Sequence, residues 1–509
     1  MLYSFLRGVA AIALRWFYRE IRVEGAERIP TDGAVLLAVN HPNALIDAMV
    51  AGIVVPRRVL FTGKATLFQK PLLAALLRAI GVVPLRRVSD ELAARRPERL
   101  DVRDAPLRTG SPTIDASESA GSAQPSSGEV PRDGAPVAPV PTRNADAFQA
   151  VVEALSNDGL VLVFPEGKSH DEPSLAPLRS GTARMALQAH AAGVHPLTIL
   201  PLGLIFERKE QPRTRILVRV GQPIPVNDET AGGRVEALTA RIDRALRDVT
   251  LNFESTREAE QLLEVAETLA AAGPVRRLPE SEPPLSHVLE LVSRAQRVRE
   301  TLADSGENAI RDVGAHVASF LERLGAFRDR LRTLDIAPTD VGIDLGVLPG
   351  VRFVVREGTF AILTVPLAWW GRINHWLPLH AARGFGVRGP RDLDQPAMRT
   401  VLSGLVLVVA AYALQTAIVW KLFGAVWAIA YLVSLPIAGT WDFRFSDRLH
   451  RAGMRMRAYL AFRANRPLYE ALRGDLGTLS AEAERLEREI LALGPAADRI
   501  SLPVQVVTR

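Results

Sequence analysis

Between residues 21 and 90 the apolar positions come in runs of two kinds. IRVEG, AVLLAVN and RRVLFTG are short and compact, and they read as strands, as does VVPL at the end of the segment. NALIDAMVAGI and KPLLAALLRAIG repeat their apolar residues at helical spacing instead. This alternation predicts an α/β unit, a sheet flanked by helices. The pattern resumes beyond residue 145. DAFQAVVEALSNDG predicts a helix, LVLVFPEG a buried strand, SGTARMALQAHAAG a helix, and HPLTILPLGL and TRILVRVGQPI two strands. Residues 95–145 separate the two halves. Their stretch DAPLRTGSPTIDASESAGSAQPSSGEVPRDGAPVAPVPT has no aromatic residue and is rich in Pro, Ser, Gly and Ala. A segment like that cannot bury enough apolar area to offset its ordering entropy, so it reads as a disordered insertion in one domain spanning 21–230.

From 231 to 345 the pattern becomes helical and charged, as in LSHVLELVSRAQRVRETLADS and VASFLERLGAFRDRLRTL, whose apolar stripes pack on each other or on the first domain. Residues 355–440 reverse the balance. FAILTVPLAWWG is apolar, and 401–439 carries almost no charge except Lys421. That run is too long for one untilted span and suits a transmembrane helical hairpin turning near Lys421 and Gly424. Arg383, Arg388, Arg391 and Arg399 precede it, and Arg444, Arg448, Arg451, Arg455 and Arg457 follow it. Basic flanks on both sides place both ends of a hairpin in the cytoplasm, and the first domain with them. The competing reading is a buried hairpin in a soluble core. Residues 441–509 form a C-terminal helical tail, in which LSAEAERLEREILALG predicts a short amphipathic helix. The first twenty residues, MLYSFLRGVAAIALRWFYRE, hold an apolar core too short to span a bilayer, bounded by Arg7 and Arg15 and followed by Trp16, Phe17 and Tyr18. They lack a small-residue cleavage site and read as an interfacial helix, or as a helix packed on the domain.

The totals sharpen this picture only in places. A chain of 509 residues exceeds one ordinary domain. Apolar residues make up 48% of it, high for a purely soluble protein. The net charge of +6, carried mostly by arginine, suits a membrane surface, a phosphate-bearing substrate or nucleic acid without choosing among them. With no cysteine there is no disulfide framework, cysteine zinc site or thiol nucleophile.

Three stretches can carry chemistry. In VNHPNALIDAMVAG, His41 stands at a strand-to-helix turn and Asp47 lies in the helix that follows. Side chains at such turns in open α/β sheets face the ligand crevice. A carboxylate on one imidazole nitrogen fixes the tautomer and raises the basicity of the other. LVLVFPEGKSHDEPSLAPLRSGTARMAL again runs strand, turn, helix, and brings Lys168, Ser169, His170 and Arg179 near a Glu-Gly turn suited to an anion. GVVPLRR ends a strand in Arg86 and Arg87. Each alone is also what a solvated turn looks like.

Together, NHPNALID, GVVPLRR, FPEGKSHD and the LPLGL strand resemble the glycerolipid acyltransferase family that uses a His-Asp dyad. The resemblance covers roughly residues 20–230. It implies an α/β acyltransferase domain and transfer of a fatty acyl group from acyl-CoA or acyl carrier protein to a hydroxyl of glycerol-3-phosphate or 1-acylglycerol-3-phosphate in phospholipid synthesis. It makes His41 the general base and Asp47 its orienting partner. It links Arg87, with Arg86 beside it, to the acceptor phosphate, and assigns Phe164, Pro165, Glu166 and Gly167 to the substrate-binding block. Two features depart from the common pattern. Five residues separate His41 from Asp47 where four are usual, and Lys168-Ser169-His170 replaces the usual Thr-Arg. Both departures resemble a sub-branch reading NHPN and FPEG-x-SHD, which includes glycerol-3-phosphate and dihydroxyacetone-phosphate acyltransferases. The phosphate then falls to Lys168 or Arg179. Backbone N–H groups at the Glu166–Gly167 turn are expected to meet the oxyanion.

No cofactor or metal is expected beyond the acyl donor, which is a substrate. The partners expected are that donor, a glycerol phosphate or lysophospholipid acceptor and membrane lipid, with no nucleic acid. GFGVRG at 384–389 fits a dinucleotide-loop pattern but has no strand–helix unit around it, and the remaining histidines show no metal-ligand spacing. Two other functions fit the same residues: a catalytically inactive lipid-binding or scaffold relative, favoured by the five-residue spacing, and a thioester hydrolase in which water replaces the acceptor.

Overall fold

The structure, a computed structural model, describes residues 1–69, 71–85, 145–228, 234–272, 283–304, 307–388 and 396–492. The insertion expected at 95–145 lies, up to residue 144, outside the described residues, as do Arg86 and Arg87.

The first domain follows the alternation in its sequence. Helix α1 (Leu2–Phe17) leads to β1 (Glu20–Glu24), β2 (Ala34–Val39), α2 (Ala44–Val54), β3 (Val59–Lys64), α3 (Pro71–Ile80) and β4 (Val82–Leu85). Then come α4 (Ala145–Ser156), β5 (Leu160–Val163), α5 (Gly181–Ala191), β6 (Leu197–Phe206), β7 (Arg215–Val220) and β8 (Ile224–Val226). Among the described residues these strands form one sheet in the order β1-β7-β6-β2-β5-β3-β4, with β8 against β6. It is mixed: β2 is parallel to both β5 and β6, whereas β7 and β8 run antiparallel to β6.

AVLLAV lacks polar alternation because β2 is covered on both faces. Val35, Leu37 and Val39 point into one core, with residues of α1 and α2, and Ala34, Leu36 and Ala38 point into the other, with residues of α4, α5 and the next helix, α6 (Val235–Val249). The N-terminal helix is packed: Leu14 and Phe17 are buried in the first core, and Arg7 donates to the carbonyls of Ile53 (2.9 Å) and Val55 (2.8 Å) at the end of α2. Its outer side still exposes Leu2, Phe5 and Ile12.

Beyond α6 come α7 (Thr256–Ala270), α8 (Leu285–Asp304), α9 (Glu307–Thr333), α10 (Val347–Arg388), α11 (Pro396–Phe423), α12 (Ala425–Ala464) and α13 (Arg466–Leu491). Only Gly424 separates α11 from α12; its φ of 87° and ψ of 175° suit glycine alone, which is why the apolar run breaks there. The spans Ala397–Phe423 and Ala425–Ala464 are long and apolar enough to cross a membrane, and only 17% and 22% of their most apolar windows are buried. A core helix of a soluble protein would hide that surface; these present it. Helix α10 packs against both.

The tail corrects the expected short helix. Helix α13 starts at Arg466, where the Asn465 side chain accepts from Leu468 N–H at 3.1 Å. Tyr469, Leu472, Leu476 and Leu479 then pack with Phe320, Leu324 and Phe327 of α9 and Tyr459 and Phe462 of α12 in a third core. Helix α12 therefore leaves its apolar half and continues through the arginines as part of a helical module.

Candidate active site

His41 and Phe164 are 123 residues apart in sequence, and the sheet explains why they meet. Strands β2 and β5 are parallel neighbours with Ala38 opposite Val163, so both chains leave the sheet at the same edge. The carboxyl ends of adjacent parallel strands are where open α/β sheets bind ligands. There the His41 ring stacks on Phe164, with centroids 3.7 Å apart and planes 10° from parallel.

His41 Nδ1 lies 2.9 Å from Asp47 Oδ2. The same carboxylate oxygen accepts the Asn43 backbone N–H at 2.7 Å. The extra residue between the two is taken up in the turn: Ala44 adopts φ +46, an unfavourable backbone for alanine, and donates its N–H to Ser169 Oγ at 3.0 Å. Asp47 is wholly buried, and His41 is 9% exposed. Burial pushes the Asp47 carboxyl above the ordinary carboxylate range, against the lowering effect of the hydrogen bond and charge of His41 and of the Asn43 N–H. Its place in the first turn of α2 also favours a negative charge. With Nδ1 engaged, Nε2 is the nitrogen left to meet a substrate.

Glu166 is drawn inward instead of facing a ligand. One oxygen accepts the His41 backbone N–H at 2.6 Å; the other accepts Ala176 N–H at 2.9 Å and contacts His170 Nε2. The carboxylate thus ties the His41 turn to the 164–176 loop. The expectation for the Glu166–Gly167 amides needs correcting at Gly167, whose N–H closes the turn onto Phe164 O at 2.9 Å and is not free for an oxyanion. Gly167 has φ +74, and a Cβ there would fall 2.8 Å from Arg179 Cδ and Nε. Glycine thereby lets the Arg179 side chain lie across the turn, while Arg179 N–H donates to Pro165 O at 2.9 Å. Lys168 is exposed on the same turn.

The structure therefore gathers His41, Asp47, Phe164, Pro165, Glu166, Gly167 and Arg179, with Lys168 at the rim. Residues missed in the sequence complete the support. Asn43 Nδ2 donates to Tyr18 OH at 3.0 Å, and Tyr18 OH donates to Lys209 O at 2.9 Å. Lys209 Nζ reaches Pro42 O at 3.2 Å and Asp171 Oδ1 at 2.7 Å. Lys209 follows β6, next to β2 on the side away from β5, and no local motif marks it. Among the described residues no group of three or more His, Asp or Glu side chains is placed to hold a metal.

Residues 20–205 match the family model described as Acyltransferase. The chain is 25% identical over 302 residues to glycerol-3-phosphate O-acyltransferase 2 of Saccharomyces cerevisiae, covering 48% of this chain and 40% of the yeast protein. It is 28% identical over 336 residues to glycerol-3-phosphate O-acyltransferase 1 of the same yeast, covering 55% and 42%. The chain thus spans less than half the length of these curated relatives. A crystal structure of the 1-acyl-sn-glycerophosphate acyltransferase of Thermotoga maritima aligns over 47% of this chain and 78% of its own, at 17% identity and a TM-score of 0.28.

Proposed function

We propose that this chain, whose residues 20–205 are an acyltransferase-family domain, is a membrane-bound O-acyltransferase of glycerolipid synthesis. In this reading it moves a fatty acyl group from acyl-CoA or acyl carrier protein to a hydroxyl of glycerol-3-phosphate or 1-acylglycerol-3-phosphate, with its catalytic domain facing the cytoplasm. The yeast relatives are named for glycerol-3-phosphate, which makes that acceptor the first to test. The observation carrying the proposal is the 2.9 Å contact of His41 Nδ1 with Asp47 at the sheet edge where β2 and β5 end.

The chemistry is direct transfer. Asp47 holds the proton on Nδ1, so His41 Nε2 takes the proton of the acceptor hydroxyl as its oxygen attacks the thioester carbonyl. Collapse of the tetrahedral intermediate breaks the C–S bond, and the imidazolium returns the proton to the leaving thiolate. Phe164 holds the imidazole plane, and Glu166 holds the backbone beneath it. Arg179, Lys168 and Lys209 are the described cations near the turn for the acceptor phosphate, with Arg86 and Arg87 as further candidates from the sequence.

The inactive-relative reading rested on the extra residue between His41 and Asp47. The turn at Ala44 absorbs that residue, which favours the enzyme reading.

The test uses membranes containing the protein or its His41→Ala variant, labelled acyl donors of both kinds, and each acceptor in turn. Transfer to one acceptor that falls about 10²–10⁴-fold in the variant is the expected result. Equal transfer by both proteins removes His41 as the base. Acyl release that needs no acceptor makes the protein a thioester hydrolase.

A further inference from the structure

A cavity of about 670 Å³ lies where the sheet domain meets α10 and α12. Nine arginines line it against three carboxylates, Glu20, Glu357 and Asp447. Two of those carboxylates have partners already: Glu357 is held by Arg448 at 2.7 Å, and Asp447 pairs with Arg213. Arg22 and Arg444 make no ion pair among the described residues. So many like charges around one space repel each other and attract an anion.

A second cavity, about 580 Å³, adjoins the first and shares Arg356, Phe360 and Arg448 with it. Its other walls are mostly apolar, from Val351, Val355 and Leu363 of α10. The two spaces form one site with a cationic end and an apolar groove.

The fold fixes where this site sits. Strand β1 is parallel to β7, β7 is antiparallel to β6, and β6 is parallel to β2. The starts of β1 and β7 therefore share a sheet edge with the end of β2, where His41 stands. Between β1 and β2 lie three strand spacings, roughly 14 Å. Along α12 the site also falls where the apolar half gives way to arginines, the level at which a helix leaves a bilayer.

We infer that this composite cavity binds an anionic membrane phospholipid, with the phosphate headgroup among the arginines and an acyl chain in the groove along α10. The bound lipid seats the catalytic domain against the membrane with the His41 edge turned toward it. Juxtamembrane arginines draw anionic headgroups by charge, and the adjoining groove selects a phosphate that carries a chain. The inference requires α10–α12 to lie in a bilayer but does not require acyl transfer, so its test reads binding alone.

The full chain, purified in a neutral detergent, is titrated with phosphatidylglycerol, phosphatidylcholine, inorganic phosphate and CoA. Bound lipid phosphorus and the shift in melting temperature are measured. Phosphatidylglycerol is expected to bind and raise the melting temperature, while phosphatidylcholine and free phosphate do neither. In the double variant Arg22→Gln, Arg444→Gln the affinity should fall more than tenfold. Both side chains are exposed and outside the ion pairs of the cavity, so the unliganded melting temperature should not fall below the parent's. Leu363→Gln should also weaken phosphatidylglycerol binding, by setting a polar amide in the groove that holds the chain. Equal binding of phosphatidylcholine, or an unchanged affinity in the double variant, overturns the proposal. Binding of CoA that the double variant abolishes also overturns it, and assigns the cavity to the donor's nucleotide.

Discussion

Leu37 and Ile362 are both large aliphatic residues in regular elements, yet Leu37 in β2 is 0% exposed and Ile362 in α10 is 76% exposed. The two regions are built in opposite senses. The sheet domain turns its apolar residues inward and covers them with helices on both faces. The α10–α12 unit turns many of them outward and keeps polar contacts inside. His375 Nε2 meets Tyr412 OH at 2.6 Å, and Asn374 Oδ1 accepts from Tyr431 OH at 2.6 Å. Gly371 lies so close to α12 that a Cβ would fall 2.2 Å from the Ala438 carbonyl oxygen. Small residues at the contact, polar side chains inside and apolar ones outside are how helices associate in lipid, where tail and side chain are equally apolar. In the sheet domain water drives the packing; a bilayer around α10–α12 would leave that to close contact.

The strongest way to break this comparison is to truncate one residue of each kind. Leu37→Ala leaves a cavity in a core closed on all sides and should cost about 2–5 kcal/mol, read as a lower melting temperature of the full chain in detergent. Ile362→Ala removes a side chain that touches little protein and should stay within about 0.5 kcal/mol. A large loss at Ile362 would place α10 in a protein core and return the hairpin to the soluble reading.

Gly371→Ala probes the same contrast from inside the helical unit. The added methyl meets a backbone carbonyl, which cannot swing aside as a side chain does, so α10 and α12 must separate. The expected cost is about 1–3 kcal/mol, smaller than that at Leu37 because the helices can shift as bodies. Thermal melting of the variant in detergent checks it, and a melt equal to the parent's would show that this contact does not hold the helices together.

What could be read from the sequence follows the same divide. AVLLAV and LVLV announce buried strands because short continuous apolar runs bounded by turn signals suit a strand covered on both faces, and NHPNALID and FPEGKSHD point to one site because each follows such a strand. Gly424 could be found as the break in an uncharged run. Tyr18 and Lys209 could not, because they reach Asn43 only through the strand order that sets β6 beside β2 and through the packing of α1. The length of α12 and α13 was hidden as well: Tyr459 and Phe462 supply the inward stripe, but Arg455, Arg457 and Arg463 around them give that stretch the look of a basic flank. Glu166 was visible as part of a site, but not as the group that fastens the His41 backbone, since a carboxylate's partners are set by tertiary contacts.

The smallest expected effect on stability has the most informative sign. Burial raises the Asp47 carboxyl above its ordinary 3.8, so the folded protein keeps this proton to higher pH than the unfolded chain does. As pH rises from that ordinary value through the raised one, the unfolded state is the first to ionise, and stability falls across the window. Above it, the ionised Asp47 weakens the fold. Asp47→Asn retains an oxygen acceptor for Asn43 N–H but removes the buried charge. Its melting temperature should equal or exceed the parent's at neutral pH and lose this part of the pH slope, while acyl transfer falls roughly 10²-fold or more. Melting curves of parent and variant from acid to neutral pH, beside the transfer assay, decide the matter. If the variant melts lower at pH 7 and keeps the parent's slope, the His41–Asp47 contact is a stabilising ion pair of the sheet domain, and the dyad owes its place to the fold before it owes it to chemistry.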